Sequence, residues 1–488
     1  VSSQIGDHGR VTQHLGTLKV VGAAVAVAAM VVITAIMVGT LGYLTDLNRA
    51  SFIVCVAVLW LLFGVAFLLL RRAPMRAAVV VIIAGSLALG GAAMAGPPDT
   101  STDSARYAWD GIVQNAGISP YRYVPLDDAL AGERTDWLFP TPVTDATGLH
   151  CPIPRTHLIV TSPSTTVICT AINRSLVPTI YPPTSELLFA AVRAVVPPSA
   201  EYWPFQLAGL LMSLGITIMM LIGLRRRGLD PRWAALWALS PLMASEAITN
   251  SHIDVLGALL TLAAVFLVSG GARWRGGILL GAAIAAKLIP VLAAPALLRR
   301  QPWKVIIASV ATFLVLYIPY VATTGVAVLG YLPGYLGQEG YANGSRFVVL
   351  TAVLRDRDAL PVAVGLLLIL TILVIWKSDQ ERPWLGQLAM IGVTLLIVSP
   401  NYPWYALLLL PFIAMTGRVE WMLVPLALAL HAVIAGTPFF RGSLFVAAVA
   451  ILLVTLVRGH SRLRGVWTWI RSRRGGSTST QGVDGGMS

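Results

Sequence analysis

Two carboxylates and an arginine stand within one short polar stretch, Asp103-Ser104-Ala105-Arg106-Tyr107-Ala108-Trp109-Asp110, which follows a long and almost wholly apolar N-terminal region. On a helix Asp103, Tyr107 and Asp110 fall at i, i+4 and i+7, one face, with Arg106 beside it. Gly117 and Pro120 end that helix. Carboxylates among aromatic rings suit a polyhydroxylated substrate. The rings stack on the C–H face of a sugar, and a carboxylate within hydrogen-bond reach takes a hydroxyl proton as general base. Further polar residues punctuate the apolar chain: Glu246, His252, Asp254, Glu339, Arg346, Tyr402, Trp404 and Tyr405. Arg346 offers a guanidinium able to grip a phosphate through two hydrogen bonds. Each has a plainer reading. Asp103 suits a helix cap, and His252 and Asp254 suit capping and the dipole at a helix start. The recurrence of ionisable groups at separate helix ends raises the set as a whole.

The elements that must position these residues are membrane helices. Apolar residues make up 56% of the 488 and charged residues 12%, roughly half the usual ~25% of soluble proteins. Mean hydropathy is +0.77. Apolar runs separated by short polar links predict an all-α polytopic membrane protein. The run near Val20 to Leu44 is too long for a cleaved signal peptide and reads as a retained helix. The net charge of +13 comes from clusters at helix ends, among them Arg71-Arg72, Arg225-Arg226-Arg227, Arg299-Arg300 and the tail from Arg458. That is the positive-inside pattern, also suited to anionic headgroups, and it speaks against nucleic-acid binding. No CxxC pair or His/Cys spacing suggests zinc. Cys55 lies in an apolar run, while Cys151 and Cys169 share one long loop whose external placement permits a disulfide.

Charge asymmetry then predicts topology. With the N-terminus inside, three helices leave 97–203 as a long external loop, carrying an amphipathic, interfacial stretch near Glu186 to Val196. The segment Gly276 to Leu298 is long enough to span, yet is basic at both flanks and interrupted by Lys287 and Pro290. A re-entrant hairpin keeps every later basic cluster inside and is the preferred reading. The expectation is about twelve transmembrane helices plus this hairpin. Residues 1–74 form an N-terminal helical hairpin extension, 75–460 the catalytic domain, and 461–488 a basic and then disordered cytoplasmic tail. Lys287 receives no catalytic role; pairing with an acid, a lowered pKa and snorkelling all remain open.

Several motifs then show a resemblance in consistent order. "DSARYAWDGIVQNAGISPYRYVPLDD" (103–128) resembles the first external loop of bacterial membrane glycosyltransferases with the C-type (GT-C) fold. It looks most like an actinobacterial branch of polyprenyl-phosphate-mannose-dependent mannosyltransferases. "CTAINRSLVPTIYPPTSELLFA" (169–190), "NSHIDVLGALLTL" (250–262), "GAAIAAKLIPVLAAPALLRR" (281–300) and "NYPWYALLLLPF" (401–412) resemble later motifs of that branch. The resemblance implies an inverting glycosyltransferase of the plasma membrane. It moves a sugar, mannose foremost, from a polyprenyl-phosphate donor to an envelope glycolipid or glycan on the external face; the charge pattern puts both termini in the cytoplasm. It implies Asp103 as general base, with Asp110 its competitor. Arg346, His252 and Arg106 are the expected phosphate ligands, and Tyr107, Trp109, Asp254, Tyr402 and Trp404 the sugar and acceptor contacts. Val113-Gln114 stand where relatives often carry another basic residue, which leaves that part of the acceptor groove open. No DxD pair for a metal-bound nucleotide sugar is present. No cofactor or metal site is expected, and the need for a divalent cation stays open. A transporter or flippase of a lipid-linked sugar is the alternative, because broken helices and intramembrane polar groups suit that class too.

Overall fold

The computed structural model describes residues 2–146, 148–153, 155–160, 166–341, 343–434 and 436–474. The disordered tail expected beyond Gly475 lies outside them. The chain is mostly helical. It opens with α1 (Ser2–Ile36), α2 (Arg49–Leu70) and α3 (Met75–Ala92). Then comes the loop region, with α4 (Asp103–Asn115), two small antiparallel sheets and α5 (Pro183–Ala194). In the sheets β1 (Val143–Asp145) pairs with β2 (Gly148–His150), and β3 (His157–Val160) with β4 (Val167–Thr170). A disulfide joins Cys151 to Cys169, with Cα atoms 5.6 Å apart. The membrane region resumes with α6 (Trp203–Arg226), a short α7 (Ala235–Ala238), α8 (Asp254–Ser269), α9 (Arg273–Ile284) and α10 (Pro302–Thr324). After them come α11 (Leu332–Gln338), α12 (Asp356–Lys377), α13 (Trp384–Val398), α14 (Leu410–Thr416), α15 (Leu423–Val433) and α16 (Thr437–Arg474).

Among the described residues seven helices are long and apolar enough to cross a membrane, or eight if the pair Met243–Thr249 and Asp254–Ser269, bent by 110°, is one span. About twelve were expected from hydropathy. The difference has a physical source. Trp384–Val398 has 15 residues, a rise of about 22 Å, short of a ~30 Å hydrocarbon core. Pro403–Thr416 and Val419–Val433 are likewise short. Residues 231–249, an apolar run, are broken into a 3₁₀ turn at Pro231–Ala234, α7, and a π-turn at Met243–Thr249.

In the segment expected to be re-entrant, α9 stops at Ile284 and irregular turns follow at Ile289–Ala293 and Pro295–Leu297. The break surrounds Lys287 and Pro290. Arg273 Nη1 donates to Gln301 Oε1 at 3.3 Å, so the two ends of the segment meet. α9 lies tightly between its neighbours: a Cβ at Gly281 would overlap the Ser309 carbonyl of α10, the close approach that small residues allow between membrane helices.

The two largest apolar clusters among the described residues hold the fold. The larger runs from α1 to α3 through α6, α8 and α13 to α16, with Phe52, Phe63, Trp237 and Phe412 buried in it. The N-terminal hairpin therefore packs into the same core as the rest. The smaller cluster glues α4 to α5 and the adjoining loop through Tyr107, Trp109, Phe139 and Phe189. Gly111 permits the α4–α5 approach, because a Cβ there would overlap the Phe189 carbonyl oxygen.

Candidate active site

The first turn of α4 opens into a cavity of about 740 Å³. That is large enough for a substrate of drug size or more. Its lining comes from separated parts of the chain: Thr100 to Asp103 before α4, Asn173 and Arg174 after β4, the broken segment Lys287 to Leu292, Tyr335 on α11, and Asn401 to Tyr405.

Asp103 is the first residue of α4, and its carboxylate caps nothing. Asn173 Nδ2 donates to Asp103 Oδ1, and His252 Nε2 lies 3.8 Å from Oδ2. The side chain retains 16% exposure, toward the cavity that it lines. The completely buried His252 ring has Nδ1 3.0 Å from Glu246 Oε2 and Nε2 3.1 Å from Ser101 Oγ. Its face stacks on Trp404 at 3.8 Å, and Trp404 stacks on Tyr402 at 4.4 Å. The result is a carboxylate that faces the cavity, backed by an amide and by an imidazole that is itself held.

The structure brings Asp103, Arg346, Tyr402 and Trp404 to this cavity. It places other expected residues elsewhere. Asp110 is buried and accepts from Arg106 Nε through both carboxylate oxygens, at 2.8 and 3.0 Å. Arg106 Nη1 donates to the Val177 carbonyl at 3.0 Å. Both are thus committed to tying α4 to the loop before α5, away from the cavity. Tyr107 stacks on Phe189 at 4.5 Å and Trp109 packs edge-on against Phe139 at 4.8 Å, so these aromatics serve the α4–α5 core. His252 stands behind Asp103 and not on the cavity lining. Asp254 accepts from Lys287 Nζ; the lysine lines the cavity with its charge already paired, 4.9 Å from the Tyr405 ring. Arg346 forms a buried ion pair with Glu339.

Arg174 and Asn173 were not expected from the sequence. Arg174 sits in the left-handed region at φ +52°, a conformation a non-glycine residue holds only when its surroundings impose it. Its guanidinium lies 5.2 Å from the Tyr335 ring. Among the described residues no carboxylate lies within ion-pair distance of it, whereas Lys287 and Arg346 are both neutralised. The sequence signal, an Asn-Arg pair inside an otherwise apolar motif, was present but pointed to no partner.

Burial shapes the acids around the site. Asp99, fully buried beside the cavity-lining loop, is pushed up to about 7 by desolvation, then by the Glu246 carboxylate. Glu186 on α5 is held well above the usual carboxylate range by burial and by neighbouring Asp110. It accepts from Thr179 Oγ1 at 2.7 Å and Gln114 Nε2 at 2.8 Å. Among the described residues no group of three or more His, Cys, Asp and Glu side chains could hold a metal ion.

Neither curated proteins nor solved structures yield a match to this chain. Residues 179–400 do match the family model of glycosyltransferase family 87. That region contributes Lys287, Tyr335, Arg346, His252 and much of the cavity wall. With the apolar spanning helices, the match supports a membrane glycosyltransferase.

Proposed function

We propose that the protein is an inverting transferase that takes a sugar, mannose foremost, from a polyprenyl-phosphate donor. The acceptor is a glycolipid or glycan of the cell envelope, met on the external face of the plasma membrane. The observation that carries this reading is the composition of one cavity: an arginine with no carboxylate partner among the described residues and a positioned carboxylate share it with an aliphatic wall of Leu288, Ile289, Leu292, Leu336 and Leu395. A lipid phosphate needs all of that wall and the cation; a sugar hydroxyl needs the base.

In the proposed step Asp103 accepts the proton of the acceptor hydroxyl as its oxygen attacks the anomeric carbon. The bond from that carbon to the phosphate oxygen breaks on the opposite face, and the electron pair leaves with the polyprenyl phosphate. Arg174 faces the growing negative charge, the electrostatic role of a preorganised cation. Asn173 and His252 hold the carboxylate in position. Asp110 is not the base in this reading, because its oxygens are spent on Arg106.

Purified protein in detergent, given labelled polyprenyl-phosphomannose and an alkyl mannoside, tests the reading. Wild type forms a glycosylated product, and Asp103→Asn lowers turnover by about 10²- to 10⁴-fold. Turnover by Asp103→Asn at the wild-type rate would overturn the base assignment. Transfer with no membrane to cross also separates this function from transport of a lipid-linked sugar.

A further inference from the structure

The cavity has a wall from outside the family-matched region. Tyr43, in the linker between α1 and α2, lines it together with Thr100 to Asp103. The linker follows a π-turn at Met37–Leu41 and is fixed at several points. The Leu44 amide donates to the Asp99 carbonyl at 2.7 Å. Asn48 Nδ2 donates to the Leu41 and Tyr43 carbonyls, both at 2.9 Å, and Asn48 Oδ1 accepts from the Thr45 amide at 2.8 Å. Arg49 Nη1 reaches the Val433 carbonyl on α15 at 3.2 Å. From the disulfide-closed loop, Arg155, itself left-handed at φ +72°, sets its guanidinium 5.4 Å from the Tyr43 ring. An aromatic ring is thus held against the cavity by two otherwise unrelated elements.

We propose that Tyr43 is the stacking platform for the acceptor sugar. This rests on the transfer reading above and extends it to the substrate that the N-terminal hairpin recognises. The acceptor hydroxyl must come within hydrogen-bond reach of Asp103. The Leu44–Asp99 bond puts Tyr43 beside the loop that carries that base, while in the transfer reading Arg174 and the aliphatic wall serve the lipid phosphate. A ring fixed in advance loses little entropy when it covers the C–H face of a pyranose. Burial pushes the Tyr43 phenol up, against Arg155, with the Asp103 and Asp99 carboxylates adding to the rise, in keeping with a ring near the base and facing substrate as a neutral group.

The test is a kinetic split measured in detergent, with octyl mannoside as acceptor probe and a short-chain polyprenyl-phosphomannose as donor. Tyr43→Ala raises the acceptor KM about tenfold and leaves the donor KM within about twofold. Tyr43→Leu, which keeps bulk but has no ring face, gives the same rise and guards against a folding defect in the smaller variant. Tyr43→Phe restores most of the loss, since the platform is the ring. An unchanged acceptor KM in both Tyr43→Ala and Tyr43→Leu overturns the proposal, as does a rise confined to the donor KM. A wild-type protein that transfers nothing from this donor overturns the transfer reading itself, and the platform with it.

Discussion

Single residues in this protein are distinguished less by type than by whether their charge is already spent. Arg174 and Arg346 both line the cavity, but only Arg346 has a carboxylate partner. The two should fail differently. Arg174→Ala is expected to lower kcat/KM for the lipid-phosphate donor by about 10²-fold while the thermal midpoint in detergent stays near wild type. Arg346→Ala leaves Glu339 buried without its cation and should cost about 3–5 kcal/mol of stability, visible as a lower midpoint before any kinetic defect. Asp99 supplies a pH prediction. Its folded-state pKa is raised from 3.8 to about 7 by burial and then Glu246, so the folded protein holds this proton more tightly than the unfolded chain. The stability tied to it is fully present below pH 3.8 and is lost as pH rises through about 7. Asp99→Asn removes that part of the slope, and unfolding midpoints from pH 5 to 8 should show the variant gaining on wild type as pH rises. Asp103 was legible because it opens a polar helix directly after a membrane run. Asp110, Arg106, Tyr107 and Trp109 share its motif, and helical spacing alone does not say which part of that helix meets the cavity and which meets α5.

At the scale of elements, the site depends on how closely α4 can lie on α5. Gly111 is the contact point, where a Cβ would overlap the Phe189 carbonyl. Gly111→Ala should destabilise by about 1–3 kcal/mol through overpacking and shift Asp103 away from Asn173, which a thermal-melt series and the turnover assay would register together. An unaltered midpoint would mean the helices separate freely. The sequence marked α4 and α5 through their polar faces and turn residues. It did not reveal that a glycine on one and a phenylalanine carbonyl on the other set their separation, because that contact joins residues far apart along the chain. The same limit explains the helices. Hydropathy registers an apolar run, but 231–249 and 285–297 fold as short 3₁₀, α and π pieces whose backbone polar groups are satisfied by the surrounding protein.

For the whole molecule, the distribution of basic residues governs how the bundle sits in the bilayer. The bond from Arg273 to Gln301 and that from Arg299 to the Ser378 carbonyl, at 3.2 Å, gather basic helix ends on one side. Asp103 belongs to the loop that the charge pattern puts on the other side, and Tyr43 and Tyr402 share its cavity. Single cysteines introduced at Leu47 and Asn401 should react with a membrane-impermeant thiol reagent on intact cells, and cysteines at Gln301 and Glu381 should not. External labelling at Gln301 would refute the hairpin. What the sequence by itself determined was the class of protein, the helix ends at which its basic residues gather, and a short polar motif fit for sugar chemistry. Those properties follow from composition and local spacing, because burial in a hydrocarbon core depends first on how apolar each run is. Only the tertiary structure decided that Asp103 and not Asp110 faces the cavity, that Arg174 lines it with no carboxylate partner among the described residues, and that Tyr43 joins the wall. Pairing of charges depends on which distant loops packing brings together, and no local pattern carries that information.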